Sequence, residues 1–323
     1  MNNQQNKHTT DSRSKNTLRE QLLDGLQVSD RKSEFAGVRT AYLEGEEGPE
    51  IVLLHGPGES MFWWMNVIPE LVKTHRVIVP DLPGHGESGI TDHTPDNEQV
   101  MKWLGDLIRD TCSAAPVLTG HALGGAVAAR FAVQHGERLQ SLVLVDSLGL
   151  ARFRPAPLFA FRMIRFMISP NEKTYSRFLP ECMYDVDHLR RLMGEKWEPF
   201  LAYNLKNAQN PDKKVALKTL MKTIGVPVIP EEELAKITVP VSLIWGRHDR
   251  ANKLKIAEAA SKKFGWPLQV IENSGDDPKL EQPEAFLNAL YEVLETGSRN
   301  GDTGFRHTGM QETSNQKSKE VSQ

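Results

Sequence analysis

Apolar positions between residues 38 and 145 follow two rhythms that alternate along the chain. Short runs read as strands: Val38 to Leu43 alternates, whereas Ile51 to Leu54, Arg76 to Val79, Pro116 to Thr119 and Leu142 to Val145 are nearly continuous. Between them the spacing predicts helices over Met61 to Lys73, over Asn97 to Cys112, and from the tight turn at Gly120 to Gly125 as far as His135. Continuous apolar strands separated by helices predict a parallel-dominated sheet covered on both faces, an α/β architecture. The alternation breaks after the strand ending near Asp146. Residues Ala151 to Leu234 hold Phe, Met, Leu and Tyr at mixed helical spacings and no strong strand, so an inserted helical cap is expected there. Strands return at Val241 to Trp245 and Leu268 to Ile271, followed by an amphipathic helix from Pro283 to Glu295.

The expected organisation is a polar N-terminal tail and lead-in (1–33), a core in two parts (34–150 and 235–296) split by the cap (151–234), and a C-terminal tail (297–323). Met1 to Asn16 and Gly297 to Gln323 are too rich in Asn, Gln, Ser, Thr and Lys to offset the entropy of ordering them, and both are expected to be disordered. The chain has 323 residues, enough for one large core. Its formal charge of −3, with basic and acidic residues interspersed, gives no sign of a nucleic-acid surface. Cys112 and Cys182 stand alone, outside any metal-binding pattern, so neither a disulfide framework nor a metal site is expected. No apolar run approaches the roughly 18 residues that cross a bilayer, and no signal segment opens the chain; a cytoplasmic setting is expected.

Four motifs carry chemistry. They are His55-Gly56-Pro57-Gly58 after the first buried strand, the glycine-rich turn Asp81 to Ser88, Gly120-His121-Ala122-Leu123-Gly124-Gly125 between strand and helix, and Trp245-Gly246-Arg247-His248-Asp249 at a later strand end. Their order and spacing resemble the α/β-hydrolase family over about residues 34 to 296. The resemblance implies an oxyanion loop at the first motif, a nucleophile elbow at the third and the triad acid Asp249 at the fourth. In such an elbow the glycines allow a sharp strand-to-helix turn that exposes its central side chain.

Here that central residue is Ala122, whose methyl group cannot attack a carbonyl. Loss of the serine from a serine-hydrolase triad costs on the order of 10⁶ in turnover. In the last loop the family places a glycine-histidine pair, and the corresponding stretch is Gly275-Asp276-Asp277-Pro278, with Asp276 at the histidine position. An ordinary Asp titrates about 2.6 units below His and is a poorer base near neutrality. Backbone donors of an oxyanion hole survive these changes and are expected at Leu123 and at Gly58 or Glu59.

A carboxylate at 276 meeting Asp249 in a partly buried pocket must share a proton with it or be neutralised by a cation such as Arg247 or Arg250. Asp276 pointing to water is the plainer alternative. Asp146, at another strand end, is an alternative acid. Ser60 on the oxyanion loop is a conceivable relocated nucleophile without an obvious activating histidine. Cys112 is expected to be inert, His121 to point beneath the turn and His85 to belong to its loop. Trp63 and Trp64, with Met163, Met167 and Tyr203, would make an adaptable apolar lining, so the expected partner is a small, largely apolar molecule with no cofactor. The helix Leu158 to Ile168, interrupted by Arg162 and Arg165, is read as a cap helix facing that pocket; a membrane-surface helix shares its look. Three functions fit: non-hydrolytic acid/base chemistry by Asp249 and Asp276, a disabled or rebuilt esterase-like or carbon–carbon-bond hydrolase, and a non-catalytic binding or sensor protein. The oligomeric state is not legible.

Overall fold

The computed structural model describes residues 17–89 and 96–302, with side chains as far as residue 295. Residues 1–16 and 303–323, expected as tails, lie outside the described residues. The first part of the core runs α1 (Leu18–Leu23), β1 (Ser29–Phe35), β2 (Val38–Glu44), β3 (Glu50–Leu54), α2 (Ile68–Leu71), β4 (Arg76–Pro80), α3 (Asn97–Thr111), β5 (Val117–His121), α4 (Leu123–His135) and β6 (Ser141–Val145). A helical insertion follows, with α5 (Pro157–Ile168), α6 (Glu172–Cys182), α7 (Val186–Met193), α8 (Trp197–Gln209), α9 (Pro211–Leu220), a π-turn at Met221–Gly225 and α10 (Glu231–Leu234). The core closes with β7 (Val241–Gly246), α11 (Lys255–Phe264), β8 (Leu268–Ile271), α12 (Pro278–Glu281) and α13 (Pro283–Asp302).

One eight-stranded sheet has the order β1-β2-β4-β3-β5-β6-β7-β8. β2 is antiparallel to both β1 and β4, and every other pairing is parallel. Strands β3, β5, β6 and β7 are buried at every position, which is why they read as continuous apolar runs. An apolar layer lies on each face. Trp64, Leu71, Phe286 and Leu290 belong to one, and Trp103, Phe131 and Trp245 to the other. This is the α/β-hydrolase arrangement implied by the motifs.

Three stretches depart from the sequence expectation. α1 and β1 fill the supposed lead-in: Thr17 and Glu20 form a capping box on α1, and β1 joins β2 through Ala36 and Gly37, both at positive φ as a tight hairpin requires. The helix expected over Met61 to Lys73 is divided into a 3₁₀ turn at Met61–Trp64 and α2, because Pro69 lacks an N–H and fits only the first turn of a helix. α13 continues past Glu295 to Asp302.

The insertion is seated on the core at backbone distance. Asp276 N–H donates to the Cys182 carbonyl at 3.0 Å, and a Cβ added at Gly275 would lie 2.0 Å from that same oxygen. A backbone carbonyl cannot swing away as a side chain can. Gly275→Ala is therefore expected to cost about 3 kcal/mol in denaturant unfolding, the upper part of the overpacking range. A loss below about 1 kcal/mol would show that α6 and the last loop are free to slide apart.

Candidate active site

Ala122 sits between β5 and α4 at φ 45° and ψ −104°, a strained conformation for a residue with a Cβ. Its neighbours impose it: Ala122 N–H donates to the Val145 carbonyl at 2.9 Å, and its own carbonyl accepts from Leu148 and Ala126. The surrounding glycines are spatial necessities. A Cβ at Gly120 would lie 2.4 Å from the Gly124 oxygen, one at Gly124 2.5 Å from the Leu54 oxygen, and one at Gly125 2.4 Å from Ser147 Oγ. Leu123 is the first residue of α4, so its N–H has no acceptor within the helix.

Opposite the elbow, Gly58 adopts φ 74° in the loop after β3, facing Leu217 of α9. The Glu59 N–H turns back toward the Gly56 carbonyl at 3.4 Å, and its carboxylate is buried, accepting from Gly56 N–H at 2.7 Å. Of the expected donors, Gly58 and Leu123 are thus the two not engaged in that turn. Ser60 is fully buried with an unpartnered hydroxyl. The nearby imidazole of His55 is occupied at both nitrogens, by the Gly56 carbonyl at 2.8 Å and by Leu82 N–H at 3.0 Å. His85 is buried in its loop, with Nδ1 3.2 Å from the Pro83 carbonyl.

The strand ends bring carboxyl groups together. Asp146, directly after β6 and at φ 42°, accepts from Gly246 N–H through Oδ1 at 3.0 Å, and its Oδ2, like that of Asp249, is buried without a hydrogen-bond partner. Asp249 Oδ1 in turn accepts from Ala251 N–H at 2.6 Å and Asn252 N–H at 2.7 Å. Burial followed by repulsion from Asp249 drives Asp146 well above the usual carboxyl range, and burial, opposed by its two N–H partners, raises Asp249 to about 6. Asp276 is raised well above its ordinary value by burial and then by Asp249 and Asp277, and its Oδ1 is buried without a partner. Asp146 and Asp276 therefore both feel the charge of Asp249, whose own hydrogen-bond partners are the N–H groups of Ala251 and Asn252. Neither expected cation answers them. Arg247 pairs with Glu272, and Arg250 donates to the carbonyls of Pro180, Glu181 and Met183.

Sequence reading missed a second charged group beneath the elbow. His121 is buried, with Nε2 2.6 Å from the Asp276 carbonyl and Nδ1 3.3 Å from Glu59 Oε2. A carbonyl carries no proton, so Nε2 is the donor. Lys279, fully buried on α12, forms an ion pair with Asp277, lies 4.0 Å from Glu59 Oε2 and stacks its ammonium over Trp64 at 5.1 Å. Burial alone would raise Glu59, but His121 and Lys279 hold it at about 2; burial raises Asp277 to about 6 against the pull of Lys279. Glu59, His121 and Asp277 could offer ligand atoms within 4.8 Å of one another to a cation, and the Lys279 ammonium already occupies this neighbourhood. The signal was present as Asp277-Pro278-Lys279, but only the fold shows that this lysine points inward.

The expected lining is divided. Trp63 donates from Nε1 to Asn204 at 3.0 Å and packs on Phe200, and Tyr203 lies edge-on to Phe62 with its hydroxyl unpartnered. Trp64 packs on Phe286 of α13, Met163 is half-buried and Met167 is 46% exposed. Leu217 and Met221, not singled out from sequence, come close to Gly58 and, through Gly225, to Leu123.

Known proteins agree with this architecture. The chain is similar to the pimeloyl-[acyl-carrier protein] methyl ester esterase of Aeromonas hydrophila, 27% identical over 261 residues covering 76% of this chain and 94% of the relative. It is also similar to the 2-hydroxy-6-oxo-6-(2'-aminophenyl)hexa-2,4-dienoic acid hydrolase of Metapseudomonas resinovorans, 26% identical over 272 residues covering 80% and 88%. The solved 2-hydroxy-6-oxo-6-phenylhexa-2,4-dienoate hydrolase of a Rhodococcus species superimposes with a TM-score of 0.73 at 24% identity, covering 83% of this chain and 99% of that one. Residues 51–289 match the alpha/beta hydrolase family model, and the chain belongs to the alpha/beta hydrolase family.

Proposed function

We propose that this family member performs no serine hydrolysis and instead binds a small, largely apolar carbonyl compound beneath its helical cap, where protonated carboxyl groups replace the nucleophile and base. One observation carries the reading: two buried carboxyl groups, Asp146 and Asp249, and the half-buried Asp276, whose Oδ1 is buried, converge beside an elbow whose central side chain is a methyl, and among the described residues no ion pair reaches any of them. A carboxyl held neutral near pH 7 donates a hydrogen bond or a proton, as a carboxylate cannot. With the N–H groups of Gly58 and Leu123, the Asp276 carboxyl provides donors for a ligand oxygen, and the Asp146–Asp249 pair disfavours its ionisation. Trp63, Tyr203, Leu217 and Met221 supply apolar surface around it.

The test uses three probes. p-Nitrophenyl butyrate should release p-nitrophenolate at the buffer rate, and a fluorophosphonate should label no serine. With 2-hydroxy-6-oxo-6-phenylhexa-2,4-dienoate, the dienol should convert to its keto tautomer without loss of benzoate, and Asp276→Asn should abolish the conversion. Turnover of either substrate to acid that disappears on Ser60→Ala would sink the reading and reveal a relocated nucleophile.

A further inference from the structure

α5 carries bulky apolar side chains on both its inner and its outer side. Phe159 is buried, and Met163 and Phe166 are half-buried against the rest of the insertion. The opposite side carries Leu158, Phe161, Ile164 and Ile168, which are 50%, 62%, 51% and 75% exposed, with Met167 at its margin. At about 100° per residue, Leu158, Phe161, Ile164, Arg165 and Ile168 fall within one arc of roughly 120°, facing solvent together. A helix with bulky apolar side chains on opposite sides normally buries both in protein or in lipid. Large apolar side chains exposed at this density mark a docking face rather than scattered surface residues.

Charge identifies what that face meets. From Ala151 to Asn171 the chain has four arginines, Arg152, Arg154, Arg162 and Arg165, and no acidic residue, although the whole protein carries a net −3. Arg162 is committed within the insertion to Glu181 and to the Arg177 carbonyl. Arg152, Arg154 and Arg165 are exposed, and among the described residues none of them has an ion-pair partner. Arg165 stands among the exposed apolar residues, and Arg152 and Arg154 just precede the helix. Basic side chains beside bulky apolar ones on the outer face of a short helix are the composition of a helix lying in a lipid interface, its apolar side chains among the acyl chains and its guanidinium groups at phosphate level. No described helix is long and apolar enough to cross a membrane.

We propose that α5 docks the protein on an anionic lipid surface, with Leu158, Phe161, Ile164 and Ile168 inserted and Arg152, Arg154 and Arg165 on the headgroup phosphates. Docking there also places the site at the membrane: Ala156 N–H, at the start of α5, donates to the Arg250 carbonyl at 2.7 Å, next to Asp249. An apolar ligand dissolved in the bilayer would then reach the cap without crossing water. This docking is independent of the chemistry at Ala122.

Vesicle flotation of the full chain tests it, with phosphatidylcholine vesicles alone and with phosphatidylglycerol added. Three exposed arginines contribute about fivefold each, so anionic vesicles should bind about a hundredfold more tightly than neutral ones, with the preference shrinking as salt is raised. Arg152→Gln with Arg154→Gln and Arg165→Gln should remove the preference. Phe161→Ser with Ile168→Ser should weaken binding to both kinds of vesicle at least about tenfold while circular dichroism stays unchanged. Absence of binding to anionic vesicles overturns the proposal. So does a concentration-dependent dimer in sedimentation velocity that Phe161→Ser with Ile168→Ser dissolves, because the face would then belong to a second copy of the chain.

Discussion

Combining Ala122→Ser with Asp276→His should raise p-nitrophenyl acetate hydrolysis by at least about 10³-fold over the unaltered chain, while either change alone leaves it at background. Triad members act as a unit, and loss of one costs nearly as much as loss of all, so single restorations recover little. The backbone that aims the nucleophile is intact. Ala122 already holds a Cβ at φ 45°, and a hydroxyl on that Cβ adds no new backbone strain. The N–H of Leu123 remains at the head of α4, where an oxyanion would form. A histidine at 276 would stand where Asp276 feels the charge of Asp249, and its imidazolium would bring Asp249 back toward an ordinary carboxylate. Burst-phase kinetics and fluorophosphonate labelling of the new serine provide the check. A double variant that folds, remains silent and takes no label would show that Leu217 and Met221 close the elbow to an ester, and that more than two residues separate this chain from hydrolysis.

What the sequence revealed, and what it concealed, follows from where each residue lies. β3, β5, β6 and β7 were legible because strands buried on both faces can tolerate only apolar side chains. β1 was not: it is an edge strand whose residues from Asp30 to Glu34 are exposed, so solvation leaves Ser-Asp-Arg-Lys-Ser-Glu without any alternation to read. The elbow was legible through Gly120, Gly124 and Gly125, each pressed against backbone or side chain at a distance no Cβ allows. The convergence of Asp146 with Asp249 was hidden because they follow different strands, and only the pairing of Val145 with Ile244 places the ends of β6 and β7 side by side. The apolar face of α5 reads the same whether it covers a pocket or meets solvent; only Phe159, buried on the other side, shows which way it turns.

Lys279→Met should cost about 3–5 kcal/mol, as expected when one partner of a buried ion pair is removed. Lys279 has no exposed surface, and its ammonium lies against Asp277 and 4.0 Å from Glu59. Methionine fills the same volume and keeps contact with Trp64, so the loss isolates the charge rather than a cavity. Removing one partner of a buried ion pair leaves the other uncompensated, which is far more costly than never having built the pair. The pH dependence separates this cause from simple mispacking. Without the lysine, Asp277, already raised to about 6, rises further, and Glu59 loses one of the two cations that hold it at about 2. Asp277 then binds its proton still more tightly in the folded state than unfolded, while Glu59, with His121 still beside it, loses part of the stabilisation of its carboxylate. A group with a raised folded value is least harmful below its unfolded value of about 4 and destabilises progressively as pH climbs through the folded value. The deficit in urea unfolding should therefore be small near pH 4 to 5 and near its maximum at pH 8. Adding Asp277→Asn should recover much of it, since His121 still accompanies Glu59. A deficit equal at pH 5 and pH 8, and untouched by Asp277→Asn, would mean that Lys279 is held for its aliphatic stem and that the charges beneath the elbow are balanced without it.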